Sequence, residues 1–246
     1  KIPVIDLNNA EKNDFMLSQM NSLTQFHLKN CSEYRTLMQK FGSINHSYDL
    51  LLDIPFLPVR LFKYTDLISV EKKDIVKTMT SSGTSGQSVS KIFLNKETSS
   101  LQIKVLSIIM ADFIGKKRVP MLVIDTKSII SNREKITART AGVLGFSIFG
   151  RDVEFALDDD MSINYERVES FIKKYESENI LIFGFTFVIW KNFVLELEKK
   201  GKKLNLYKGT LFHGGGWKKL ENQSVDTIEF NNRILNNTKI SKVHNY

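Results

Sequence analysis

The chain has 246 residues, 42% of them hydrophobic, with 35 basic against 27 acidic side chains and a formal net charge of +8. That is enough apolar material for one large domain or two small ones. A single cysteine, Cys31, excludes an intramolecular disulfide and a cysteine-rich zinc site. The natural expectation is a reducing, cytoplasmic compartment, with a bacterial surface as the alternative.

No apolar run reaches the roughly 18–20 residues that span a membrane. The N-terminal stretch Lys1–Asp6 does not read as a signal peptide, because its apolar part is short and an acid follows at once. The net charge points first to nucleic acid, but the lysines are scattered as pairs near predicted helix ends and turns. They read as solvated surface, and a nucleic-acid-binding role is not expected. The same field would draw in small anions such as nucleotides and carboxylates.

Residues 7–41 read as helix, with Phe26, Cys31, Tyr34, Met38 and Phe41 near one face and Cys31 as a small core residue. Pro55 and Pro58 make residues 54–63 an extended connector. Residues 73–79 and 90–94 read as two short strands joined by a loop. Residues 97–115 form a predicted helix, and Met121–Asp125 a buried strand. A helix is expected over 134–145. The acidic run Asp158-Asp159-Asp160, with Asn164, suits the start of a helix over 164–176, and capping is its expected role rather than metal binding. Ile180–Phe185 reads as a second buried strand, 187–200 as a helix closed by Gly201, 204–212 as a third strand and 239–246 as a fourth. This alternation implies an α/β fold with a mostly parallel sheet flanked by helices. The domain reading is one α/β unit over residues 1–246, with a helical N-terminal part over about 1–50.

Two glycine-containing runs carry the chemistry. In Thr80-Ser81-Ser82-Gly83-Thr84-Ser85-Gly86-Gln87, seven of eight residues are Ser, Thr or Gly. Such a loop offers hydroxyls and backbone N–H groups with little bulk, the equipment for wrapping a polyphosphate. The second run is His213-Gly214-Gly215-Gly216-Trp217-Lys218. Neither fits the familiar patterns. A Walker loop needs G-x-x-x-x-G-K-[ST], a dinucleotide fingerprint G-x-G-x-x-G, and a nucleophile elbow G-x-S-x-G. Each run also has a plainer reading: a mobile hairpin tip for the first, a tight turn for the second. Trp217 is equally readable as a core cap, and His213 as a satisfied turn histidine.

Thr80–Gly86 resembles the phosphate loop of adenylate-forming enzymes. Together with Pro55-Phe56-Leu57-Pro58-Val59, Leu61-Phe62-Lys63 and His213–Lys218, the chain is similar to the LuxE-type acyl-protein synthetases over most of its length. The resemblance implies the large N-terminal domain of the adenylate-forming fold. It implies activation of a carboxylic acid, fatty or related, with ATP and Mg²⁺, and transfer of the acyl group to a thiol of a protein or of CoA. It implies that Thr80, Ser81, Ser82, Gly83, Thr84, Ser85 and Gly86 hold the ATP phosphates. It assigns an adenine and acyl pocket to His213, Gly214, Gly215, Gly216, Trp217, Lys218, Gly184 and Phe185. No catalytic residue and no resident metal ligand is assigned. The family's Tyr-Gly-x-Thr-Glu-like segment, distal lysine and acyl-accepting cysteine are not found in residues 1–246. The expectation is therefore a truncated enzyme, inactive by itself, or a non-catalytic nucleotide- or acyl-binding module.

Overall fold

A computed structural model describes residues 7–41, 44, 47–80, 88–131, 138–217, 222 and 224–246. The chain divides into two compact units, Lys1–Lys104 and Val105–Tyr246.

In the first unit, α1 (Asn9–Asn30) begins with a capping box: Asn8 accepts from the Glu11 N–H at 3.0 Å, and Glu11 accepts from the Asn8 N–H at 2.9 Å. The expected single helix over 7–41 breaks at Cys31, where the backbone is extended. The Cys31 thiol accepts from the Tyr34 N–H at 3.4 Å and caps α2 (Ser32–Lys40). Arg35 turns back and donates to the carbonyls of Leu28 at 2.7 Å and Lys29 at 2.8 Å, satisfying the end of α1. Cys31 and Met38 are buried as expected, but Phe26 and Phe41 stay exposed, because the break redirects the stripe.

The proline-rich connector is not uniformly extended. It contains 3₁₀ turns at Leu51–Asp53 and Val59–Lys63, the latter starting after Pro58, whose fixed φ suits a helical start. Strands β1 (Ile75–Thr80) and β2 (Lys91–Asn95) pair antiparallel, with Thr80 opposite Lys91. Helix α3 (Lys96–Ile114) follows, its first turn held by Asn95, which accepts from the Thr98 N–H at 2.8 Å. Its expected apolar residues Leu101, Val105, Ile108 and Phe113 keep exposure, while Met110 and Ile114 are buried.

The second unit is built on five parallel strands in the order β4-β3-β5-β6-β7. These are β3 (Val119–Thr126), β4 (Gly150–Leu157), β5 (Ile180–Phe185), β6 (Gly209–Gly214) and β7 (Lys242–Asn245). Met121, Leu122, Val123 and Ile124 are fully buried, and every residue of β5 is buried, as continuous apolar runs in a covered parallel sheet require. Helices α4 (Ala138–Ser147) and α5 (Tyr165–Lys174) pack on this sheet.

Two elements escape the sequence reading. Strand β4 carries Arg151, Asp152 and Glu154 at the sheet edge, where side chains reach water and the pattern loses its apolar continuity. Helix α8 (Thr227–Thr238) is capped by Asp226, which accepts from the Glu229 N–H at 2.8 Å. Three other expectations shift. The helix after β5 is α6 (Thr186–Val188), a π-helical turn Ile189–Val194 and α7 (Leu195–Lys199), closed by Gly201 at φ +61°. The third strand begins at Gly209 rather than at 204, because the N–H groups of Leu204 and Leu206 are drawn to the Asn237 and Thr238 carbonyls at the end of α8. The cap of α5 is Asn164, not the acidic run: Asn164 accepts from the Arg167 N–H at 2.9 Å and donates to Asp158 at 3.1 Å. Among the described residues, no helix is long and apolar enough to cross a membrane.

Candidate functional site

Strand order decides where a ligand fits the second unit. From β3 the chain builds β4 on one side, then crosses to β5 on the other and continues outward through β6 and β7. In open parallel sheets the crevice at such a reversal, at the carboxyl ends of the strands, is where ligands collect. Here that edge is formed by Asp125 and Thr126 on β3, Gly184 and Phe185 on β5, and His213 and Gly214 on β6. Register puts Gly184 beside His213 and Phe185 beside Gly214, so two separately predicted segments become neighbours.

His213 is buried, and its Nδ1 lies 2.9 Å from the Thr186 hydroxyl. That hydroxyl also donates to the Gly214 carbonyl at 3.1 Å. A hydroxyl has one proton, and a carbonyl only accepts, so the Thr186 oxygen must accept from His213. The imidazole is thereby set in the Nδ1–H tautomer, with Nε2 as its acceptor nitrogen. Burial, with a smaller contribution from His244, lowers the His213 pKa to about 4, so the ring is neutral at physiological pH. Its ring is tilted against Phe230, with ring centres 4.7 Å apart. Trp217 packs edge-on to Trp190 at 5.3 Å and to Phe230 at 6.1 Å, and so closes the same aromatic cluster.

The glycines of the turn have different causes. Gly215 has φ +81°, and a Cβ there would sit 2.3 Å from Cδ1 of Phe185. Gly216 has φ +61°, but a Cβ there would meet nothing within 4 Å, so the backbone borders open space. On the opposite side of the Phe185 ring, Gly142 of α4 would place a Cβ 3.0 Å from Cε2. Phe185 is thus wedged against two glycines. Gly184 is small for a packing reason, since a Cβ would come within 2.9 Å of Ile189.

A polar cluster at the end of β3 carried no signal beyond a polar residue closing a buried strand. Asp125 is fully buried, and its carboxylate accepts from the Thr126 N–H at 2.8 Å. Arg139, in the first turn of α4, donates to it through Nε at 3.0 Å and again through Nη2. The Arg139 guanidinium stands 5.7 Å from the centre of the Phe187 ring.

Of the predicted site residues, Gly184, Phe185, His213, Gly214, Gly215, Gly216 and Trp217 are gathered at this edge. Thr80 is the last residue of β1. Ser81, Ser82, Gly83, Thr84, Ser85, Gly86 and Lys218 lie outside the described residues.

The chain matches the family model "Acyl-protein synthetase, LuxE" over residues 4–245. It belongs to the LuxE acyl-protein synthetase family. This LuxE-family chain is 27% identical over 232 residues to the long-chain-fatty-acid–luciferin-component ligase of Aliivibrio fischeri, covering 89% of the chain and 57% of that protein. It is 24% identical over 225 residues to the corresponding ligase of Vibrio harveyi, covering 84% of the chain and 54% of that protein. The chain therefore spans a little over half the length of these relatives. Among solved structures, 2-hydroxyisobutyryl-CoA ligase in the postadenylation state, in complex with 2-HIB-AMP, superposes with a TM-score of 0.64 at 12% identity. The match covers 97% of this chain and 49% of that one. At that identity the likeness shows the fold, which is that of the adenylate-forming ligases.

Proposed function

We propose that the protein activates a carboxylic acid, fatty or related, at the expense of ATP and passes the acyl group to a thiol. The carboxylate oxygen attacks the α-phosphorus of ATP, the bond to the β-phosphate oxygen breaks, and pyrophosphate leaves. The thiol sulfur then attacks the acyl carbon, AMP departs, and the thiol gives up its proton. The observation that carries this reading is membership of the LuxE family across residues 4–245. The site is consistent with it. Gly216 leaves its backbone beside open space, where a flat base has room. Gly184 and Phe185 end β5 at the same edge, beside His213 and Gly214 of β6.

Within this reading, Thr80 and Ser81–Gly86 hold the phosphates through hydroxyls and N–H groups, donors of the kind that stabilise developing charge. Gly214–Gly216, His213, Trp217 and Lys218 border the base, and Gly184 and Phe185 the acyl chain. Mg²⁺ accompanies the nucleotide and offsets the charge of its phosphates. The thiol belongs to an acceptor protein or to CoA.

The test is ATP–pyrophosphate exchange by the full-length protein across a panel of carboxylic acids. Acid-dependent exchange is expected, reduced at least ten-fold by S82A/T84A with the melting temperature unchanged. Unaltered exchange in that variant sinks the phosphate-loop assignment. ATP binding with no exchange for any acid favours a binding module. Residues 1–246 contain no Tyr-Gly-x-Thr-Glu-like segment, and we propose that this polypeptide alone exchanges at background rate.

A further inference from the structure

The described residues place one charged pair at the strand-order reversal itself. Asp125 is the penultimate residue of β3 and is fully buried, and Arg139 is the second residue of α4, with about a quarter of its side chain exposed. Arginine presents five N–H donors in a planar fork. The pair with Asp125 uses Nε and Nη2, so it engages one edge of that fork. Nη1 takes no part in these bonds. The Asp125 carboxylate is steadied by the Thr126 N–H, and the guanidinium lies near the Phe187 ring. The fork is thus oriented before any ligand arrives. Phe187 follows Thr186 directly and lies two residues beyond Phe185, so an apolar wall and a guanidinium share this end of the sheet.

We propose that Arg139 is the anion anchor of the β3/β5 crevice: Asp125 holds one edge of its guanidinium, and the other edge receives the carboxylate of the acid. The inference rests on the reading that the protein takes a carboxylic acid. It adds the residue that recognises the charged end. Asp125 and Arg139 neutralise one another in the free protein, so the anchor acts as a set of aimed donors rather than as a bare positive charge. An alcohol of equal length lacks the second oxygen and the charge, and pairs poorly with such a fork.

The test measures binding of decanoate, decanol and ATP to the full-length protein by calorimetry. R139M leaves Asp125 buried without a counter-charge, so D125N/R139M, D125N and R139K are measured beside it. The wild type is expected to bind decanoate at least ten-fold more tightly than decanol. D125N/R139M is expected to lose that preference while binding decanol as before. D125N breaks the ion pair and leaves a single accepting oxygen beside a guanidinium that is still present, and is expected to keep part of the preference. R139K, with one point charge already engaged by Asp125, is expected to fall between them.

ATP distinguishes the source of the anion. If D125N/R139M weakens ATP at least ten-fold and leaves decanoate unchanged, Arg139 holds a nucleotide phosphate and the carboxylate assignment is overturned. Unchanged affinity for both ligands overturns the anchor altogether, as does D125N losing the acid preference as fully as D125N/R139M, the mark of a purely structural pair. A wild type that binds neither ATP nor decanoate overturns the functional reading, and the anchor with it. A wild type that binds both, with variants that match it, overturns the anchor alone.

Discussion

At the scale of single residues, the glycine turn is the sharpest point of contact between sequence and geometry. The run Gly214–Gly216 marks a turn in any reading, but its three glycines are not interchangeable. Gly215 and Gly216 share a left-handed backbone, and only Gly215 also lies against Phe185. Gly215→Ala should therefore cost about 2–4 kcal/mol and Gly216→Ala about 1 kcal/mol, the difference being steric overlap with the ring. Urea unfolding of the two variants measures this, and equal losses would refute the wedge. The role of His213 was equally open in the sequence. Only the position of Thr186, twenty-seven residues earlier, shows that the ring is a buried donor set in one tautomer. The contact between Phe185 and Gly215 is likewise a product of strand register, and no spacing along the chain announces it.

At the scale of elements, the legible parts are those whose signal is local. The β1–β2 hairpin, β3, β5 and the helix over 97–115 follow from apolar runs and turn residues close in sequence. The elements that local sequence does not reveal depend on partners. The long N-terminal helix breaks at Cys31, and Arg35 repairs the broken end by reaching back to α1. Strand β4 was unreadable because its charged residues look like a loop until a neighbouring strand supplies hydrogen bonds. The acidic run before α5 signalled a helix start correctly, yet the capping atom belongs to Asn164, which also ties down Asp158. Asn164→Ala should thus cost about 1–2 kcal/mol in urea unfolding. Asn164→Asp keeps the cap oxygen but sets a second carboxylate beside Asp158, and should recover only part of that loss. Full recovery would mean that the bond to Asp158 contributes nothing.

For the molecule as a whole, the buried His213 links stability to pH. Its pKa falls from 6.5 to about 4 on folding. Between those values the unfolded chain binds the proton that the folded chain refuses, so stability rises with pH across this window. The contribution is full above pH 6.5 and declines as the pH falls toward 4, by an amount on the order of 2–3 kcal/mol. His244 shifts the same way, through its own burial and the nearby charge of Lys242. Comparing unfolding of the wild type and His213→Gln between pH 7 and pH 4 isolates the His213 part. The variant should lose less stability on acidification, and equal losses would overturn the assignment. By itself the sequence determined the α/β class, the buried parallel strands and the family resemblance, because continuous apolar runs and a rare combination of short motifs are local properties of the chain. Tertiary structure decided which ends of those strands meet. Strand order and register set Phe185 against Gly215 and Thr186 on His213, the packing of α4 brings Arg139 to Asp125, and such contacts leave no periodic trace in the residues that make them.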